Sequence, residues 1–213
     1  MSIFVPTNYD LRTALLFCFH LKKTAAELHR MLAEAFSDEK WIYFENPKRN
    51  KSWVTPGEPS TSTPRPNRYG RKTMLCVWWD QKGVIYYELL KPGETVNTQR
   101  YRQQMTDLDR VLREKRPEYQ QRQHKVILLH DKAPAHKAKQ VQETIESFRW
   151  EILQHTAYSP DLAPSDYYLF ASMGALFTSY EDVRKWLDDW FASKEQQFFW
   201  RGIHKLPERW ENV

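Results

Sequence analysis

"KVILLHDKAPAH", residues 125–136, holds the reading on which the fold turns. Four apolar residues, Val126 to Leu129, end on His130 and Asp131, and the chain then turns through Lys132, Ala133 and Pro134. A short apolar run closed by turn chemistry predicts a buried strand. In open α/β sheets the chemistry gathers just beyond strand ends, which puts Asp131 where a functional carboxylate would stand. The same residue would equally cap a helix starting after Pro134. From this stretch alone both readings stay open.

Downstream, the pattern predicts a helix from about Ala135 to Phe148, a strand at "WEILQ" and a helix beginning near Ser165. A last amphipathic helix starts near Tyr180, with Val183, Trp186, Leu187, Trp190 and Phe191 on a stripe that belongs to a core. Upstream, "TQRYRQQMTDLDRVLREK" sets Tyr101, Met105, Leu108 and Leu112 on one helical stripe. "TMLCVWW" and "VIYYELL" flank "DQKG" and read as an antiparallel hairpin. "DEKWIYFEN" suits a strand starting near Asp38. Before it, residues 10–35 read as two short helices, the second boxed by Thr24 and Glu27 and carrying Leu28, Met31, Leu32 and Ala35 at helical spacing. The order is β-β-β-α-β-α-β-α plus an extra helix. An α/β mixed sheet, a meander followed by right-handed crossovers, satisfies it. The parallel part would lay the first strand beside the fourth, and Asp38 beside Asp131.

A chain of 213 residues holds one domain with a short appendage. Its 32 Lys and Arg exceed its 27 Asp and Glu, so a polyanionic partner is favoured. Cys18 and Cys76 lie far apart inside apolar runs, which suits buried thiols in a reducing compartment. "ALLFCFHL" is too short to span a membrane and lacks a signal-cleavage site, so an intracellular, soluble protein is expected. From Glu45 to Lys72 the composition shifts to Pro, Ser, Thr and Asn, with seven Lys and Arg against two acids. A connector of that length is functional or disordered more often than plain, and Trp53 and Tyr69 offer it anchors.

Adjacent carboxylates at Asp38 and Asp131 would repel unless cations sit between them, and hard divalent ions are the natural choice. "YSPDLAPSDYYLF" offers a third. Asp166 opens the next helix and would aim back at the sheet, whereas Asp161 sits in a Pro-bounded turn that suits local hydrogen bonds. Three acids around two metal ions are machinery for phosphodiester cleavage. Spacing by itself does not establish it, since Asp is common.

The stretches "DEKWIYFENPKRNKSW", "GRKTMLCVWWD", "GVIYYELLKPGETVN", "LLHDKAPAH", "YSPDLAPSDYYLF" and "WRGIHKLPERW" resemble the catalytic domain of mariner-family (Tc1/mariner) transposases over residues 38–213. The likeness is marked to the mariner portion of the SET and mariner fusion protein. It implies an RNase H-like five-stranded sheet and a DDD triad with 34 residues between the second and third Asp, the number separating Asp131 from Asp166 here. Asp38, Asp131 and Asp166 are then the catalytic metal ligands for two Mg²⁺ ions, with Mn²⁺ as a substitute. It further implies double-stranded DNA as partner, a homodimer, a nuclear location, and for residues 45–72 a clamp-like loop in which Arg49, Lys51, Arg68 and Arg71 would meet phosphate or the partner subunit and Trp53 would anchor the clamp. Phosphate contacts carry affinity without sequence information.

Residues 1–36 resemble the start of the family's helix-turn-helix region, and residues 37–213 would form the catalytic domain. The chain passes from "AEAF" straight to "SDEKW", without the third helix of the first motif or the second motif. Base reading needs the recognition helix, so mostly nonspecific DNA binding is expected. Lys132 stands where the family has Asn and would modulate metal affinity; Ser37 stands where it has Gly; the stretch at "SMGALFTSY" is shorter. Helical sequence replaces the lead-in to Asp38, which predicts a shortened first strand. Two functions follow: a metal-dependent DNA nuclease and strand transferase with impaired end recognition, or a catalytically weak remnant that binds DNA or a partner.

Overall fold

The computed structural model describes residues 35–44, 72–121, 126–131, 133–153, 159–175, 177–206 and 209. Five strands form one sheet in the order β3-β2-β1-β4-β5: β1 Ala35–Tyr43, β2 Lys72–Asp80, β3 Gly83–Leu89, β4 Ile127–Leu129 and β5 Glu151–Leu153. β1 to β3 form the antiparallel meander, and β4 and β5 run parallel to β1. The mixed sheet is the one that the order of elements predicts.

Side chains on successive strand residues point to opposite faces, and the two cores follow that alternation. On one face Phe36, Leu75, Val77, Trp79 and Leu129 pack against Leu169, Phe170, Val183, Leu187, Phe199 and Ile203. These come from a π-helix, Ser165–Phe170, and from the two C-terminal helices Tyr180–Ala192 and Gln196–His204. On the other face Ala35, Cys76, Trp78, Ile85 and Leu128 meet Tyr101, Met105, Leu108 and Leu112 of α1, Thr98–Lys115, and Val141 and Ile145 of a shorter helix, Lys139–Ser147. The stripe expected on α1 is buried residue for residue. Asn97 caps this helix, its side chain accepting the Arg100 N–H at 2.9 Å.

The β2–β3 turn needs Gly83, whose φ of +133° lies outside the range of ordinary side chains. Beside it Asp80, fully buried, accepts two hydrogen bonds from Arg116 at 2.8 and 3.1 Å and one from the Lys82 N–H at 2.8 Å. The hairpin tip is thereby tied to the end of α1.

Three expectations are corrected. β1 is not shortened: it starts at Ala35, three residues before Asp38, and pairs with β2 from Phe36 to Tyr43. Ala35, assigned by spacing to a helix, is a buried strand residue opposite Leu128, because the apolar pair Ala35–Phe36 has a sheet neighbour to cover it. The helix expected over residues 135–148 is broken at Ala138, whose ψ of 135° is extended, into Pro134–Lys137 and Lys139–Ser147. The helix Gln196–His204 has no counterpart in the sequence reading. The expected pair of helices in residues 10–35 and the basic loop fall, apart from Ala35 and Lys72, outside the described residues.

Candidate functional site

Asp38 sits within the central strand, directly opposite Val77 of β2. It shares its face with Phe36, and its Oδ1 accepts the Glu39 N–H at 2.8 Å. Across that face stands the π-helix, with Asp166 in its first turn. Two contacts seat this helix: Trp79 Nε1 of β2 donates to Ser165 Oγ at 3.0 Å, and Lys40 Nζ lies 5.1 Å over the Phe170 ring. A π-helix widens the turn and is a recurrent feature of functional sites. Asp131 follows β4 by two residues, at the end of the strand adjoining β1.

The structure thus gathers Asp38, Asp131 and Asp166 into one electrostatic neighbourhood. Burial, then the charges of Asp166, Glu39 and Asp131, push the Asp38 carboxyl up to about 8. Asp161 stays apart, in a single 3-10 turn, Pro160–Leu162, as its Pro-bounded setting predicts. Arg49, Lys51, Trp53, Arg68, Arg71 and Lys132 lie outside the described residues.

A second group lies at the same strand end. His136, 2% exposed, places Nδ1 2.6 Å from Asp131 Oδ1, and its Nε2 is 3.2 Å from Glu39 Oε1, an ion-pair contact that lacks hydrogen-bond alignment. Asp131 Oδ1 also accepts the Ala133 N–H at 2.9 Å. Burial opposes charge on His136, but the close carboxylates of Asp131 and Glu39 outweigh it and raise its pKa to about 10. Against burial, the same His136 contact and the Ala133 N–H hold Asp131 below the usual carboxylate range. Tyr101 stacks on the His136 ring with centroids 3.9 Å apart, and its hydroxyl is 2.8 Å from His130 Nδ1. Burial, then the neighbouring His136 charge, drive His130 down to about 3, so it is neutral.

Among the described residues, the His and carboxylate groups whose ligand atoms lie within 4.8 Å of one another are Glu39, Asp131 and His136. Asp38 and Asp166 do not complete such a set in this arrangement. The sequence reading left Glu39, His130, His136 and Tyr101 without roles. The signal was in the opening stretch, where "HDKAPAH" sets a second His five residues after Asp131. No helical or strand period joins those two positions, so only the break at Ala138 and the burial of His136 reveal the pairing.

A family profile described as "Transposase (partial DDE domain)" matches residues 43–122, which lie between Asp38 and Asp131 and include neither. The chain is 66% identical over 194 residues to the mariner Mos1 transposase of Drosophila mauritiana, covering 89% of this chain and 55% of that protein. It is 31% identical over 179 residues to the histone-lysine N-methyltransferase SETMAR of Homo sapiens, covering 82% of this chain and 26% of that one. The chain therefore spans about half the length of one curated relative and about a quarter of the other, and the likeness to Mos1 is the stronger. Among solved structures, the Mos1 transposase catalytic domain with raltegravir and Mg superposes with a TM-score of 0.73 at 51% identity, covering 98% of this chain and 94% of that one. A Mos1 paired-end complex with the left transposon end gives 0.79 at 56% identity, covering 99% and 64%. The five-stranded mixed sheet with flanking helices is the RNase H-like fold of that catalytic domain. With such identity across nearly all of both chains, this protein belongs to the mariner family of transposases, of which it carries the catalytic domain.

Proposed function

We propose that the chain cleaves DNA and transfers DNA strands, with Asp38, Asp131 and Asp166 holding two divalent ions, Mg²⁺ or Mn²⁺. The observation that carries this reading is the Asp38 carboxyl, pushed up to about 8 by burial among Asp166, Glu39 and Asp131. A half-buried carboxylate facing others is unfavourable unless a cation joins them, and an all-oxygen donor set suits hard divalent ions. When bound, such ions activate the attacking oxygen and stabilise the leaving one. The protein's own part is positional: β1 presents Asp38, the π-helix presents Asp166, and the turn after β4 presents Asp131.

The relative solved with Mg is a catalytic domain of the same family, and that with a transposon end is a DNA complex; both support a metal-dependent reaction on DNA. In this reading the residues before β1 are a helix-turn-helix remnant, with Ala35 and Phe36 belonging to the catalytic sheet; the basic residues of 45–72 serve as a clamp-like loop, DNA binding is mainly nonspecific, the working form is a homodimer and its location is the nucleus. The alternative, a catalytically weak or inactive remnant that binds DNA or a partner, rests on the missing helix-turn-helix elements, on Lys132 and on a shortened first strand, and the nine residues of β1 remove only the last of these.

Incubating the protein with supercoiled plasmid and Mg²⁺ or Mn²⁺ should produce nicked circles. Ala at Asp38, Asp131 or Asp166 should abolish nicking and leave DNA binding intact. Native-rate nicking by Asp131→Ala would refute the assignment.

A further inference from the structure

The contacts of Asp131 are unevenly shared between its two oxygens. The Ala133 N–H donates to Oδ1 at 2.9 Å, and His136 Nδ1 stands 2.6 Å from the same oxygen as an ion-pair contact and 3.4 Å from the Asp131 carbonyl oxygen. The side chain is 48% exposed, which leaves the carboxylate accessible to a ligand. A carboxylate pinned by one oxygen can turn only about the axis that its donors define, and the second oxygen is then presented to a ligand in a narrow range of directions. His136 is itself held at three points. Tyr101 stacks on one ring face, Nε2 faces Glu39, and the ring is 2% exposed, while Gln142 Nε2 donates to the His136 carbonyl at 2.9 Å.

Glu39 is the strand neighbour of Asp38. Alternation sends Asp38 to the face of the π-helix and Glu39 to the face of α1. From these geometries we infer that His136 is a positioning residue: it anchors Asp131 Oδ1 so that Oδ2 points at the divalent ion, with Glu39 bracing the imidazole from behind. β1 thus reaches the ion twice, directly through Asp38 and indirectly through Glu39, His136 and Asp131. The inference deepens the proposed function and rests on Asp131 being a metal ligand.

The arrangement also explains the helix break. A continuous helix from Pro134 would carry His136 around its own axis with its neighbours. The extended backbone at Ala138 ends the first turn instead and lets the short segment Pro134–Lys137 orient the imidazole independently of Lys139–Ser147.

The test uses the whole chain, with Mn²⁺ as probe and its binding read from the loss of the free-ion electron paramagnetic resonance signal. His136→Ala should weaken Mn²⁺ binding about tenfold or more, the usual cost of losing a partner that orients a ligand. Asn and Gln separate positioning from packing, since both lose the ring stack on Tyr101. An Asn amide nitrogen sits where Nδ1 sits and can still donate to Asp131, so His136→Asn should stay within about threefold of the native affinity. A Gln amide nitrogen sits where Nε2 sits, so His136→Gln should fall with His136→Ala.

Equal affinities for Asn and Gln, or native affinity in His136→Ala, would overturn the inference. If His136→Ala loses its circular dichroism spectrum, the Asn and Gln pair decides alone. If those also unfold, Glu39→Gln decides: weaker Mn²⁺ binding supports the inference, and native affinity overturns it. Electron spin-echo modulation on the native Mn²⁺ complex should show no directly bound imidazole nitrogen; such a coupling would make His136 a ligand and overturn its positioning role. Asp131→Ala is the control. Native Mn²⁺ affinity there removes the ligand assignment and this inference together, whereas lost affinity there with native affinity in all His136 variants removes only the inference.

Discussion

Asp38 and His136 titrate in opposite chemical roles but push stability in the same direction. The Asp38 carboxyl is raised from 3.8 to about 8, so between those values the unfolded chain has released a proton that the folded chain still holds. Rising pH therefore favours unfolding across that window. His136, raised from 6.5 to about 10, binds a proton more tightly when folded, and its contribution is likewise lost as pH rises through that range. His130, lowered to about 3, acts only below 6.5, where its charging opposes the fold. Metal-free protein in chelator should accordingly melt at lower temperature at about pH 8 than at about pH 6.5, and Mg²⁺ should narrow the gap by neutralising Asp38. Asp38→Asn should flatten the dependence. A melting temperature that climbs over this interval in chelator would contradict the assigned shifts.

Among the elements, the π-helix depends on β2 for its position. Trp79 packs against Phe36 and Phe199 at ring-centroid distances of 5.7 and 5.9 Å, and its indole N–H meets Ser165 Oγ, one residue before Asp166. Trp79→Phe keeps most of the apolar packing but strands a buried hydroxyl. The expected cost is about 1–2 kcal/mol in urea unfolding, with nicking reduced more than DNA binding. Unchanged nicking in a variant so destabilised would show that Ser165 does not help to seat Asp166. At the other end of the sheet, Arg116→Ala would leave the carboxylate of Asp80 buried without its bidentate partner. Breaking a buried pair from one side costs about 3 kcal/mol, here partly offset by the Lys82 N–H. Equilibrium unfolding should register that loss while metal affinity stays native, because this pair lies on the hairpin and not at the end of β4.

For the molecule as a whole, the excess of Lys and Arg and the expected lack of a complete base-reading region predict DNA binding governed by salt. Affinity for duplex DNA should fall steeply between about 50 and 200 mM salt, with scrambled and inverted-repeat duplexes competing equally; a strong preference for the repeat at equal salt would refute nonspecific binding. The sequence determined the alternation of strands and helices, because apolar periods of 2 and 3.6 are local properties of the chain. It also determined that Asp131 ends a strand and that Asp166 opens a helix, since turn residues mark both places. The start of β1 was not legible, because Ala35 and Phe36 fit a helix or a strand equally until Leu128 and Leu129 lie beside them. Nor was the link from Glu39 through His136 to Asp131, which joins residues nearly a hundred positions apart. Only the sheet order, by placing β1 against β4, decided that a glutamate facing away from Asp38 would back a histidine that stands, just before the helix break, against one oxygen of Asp131.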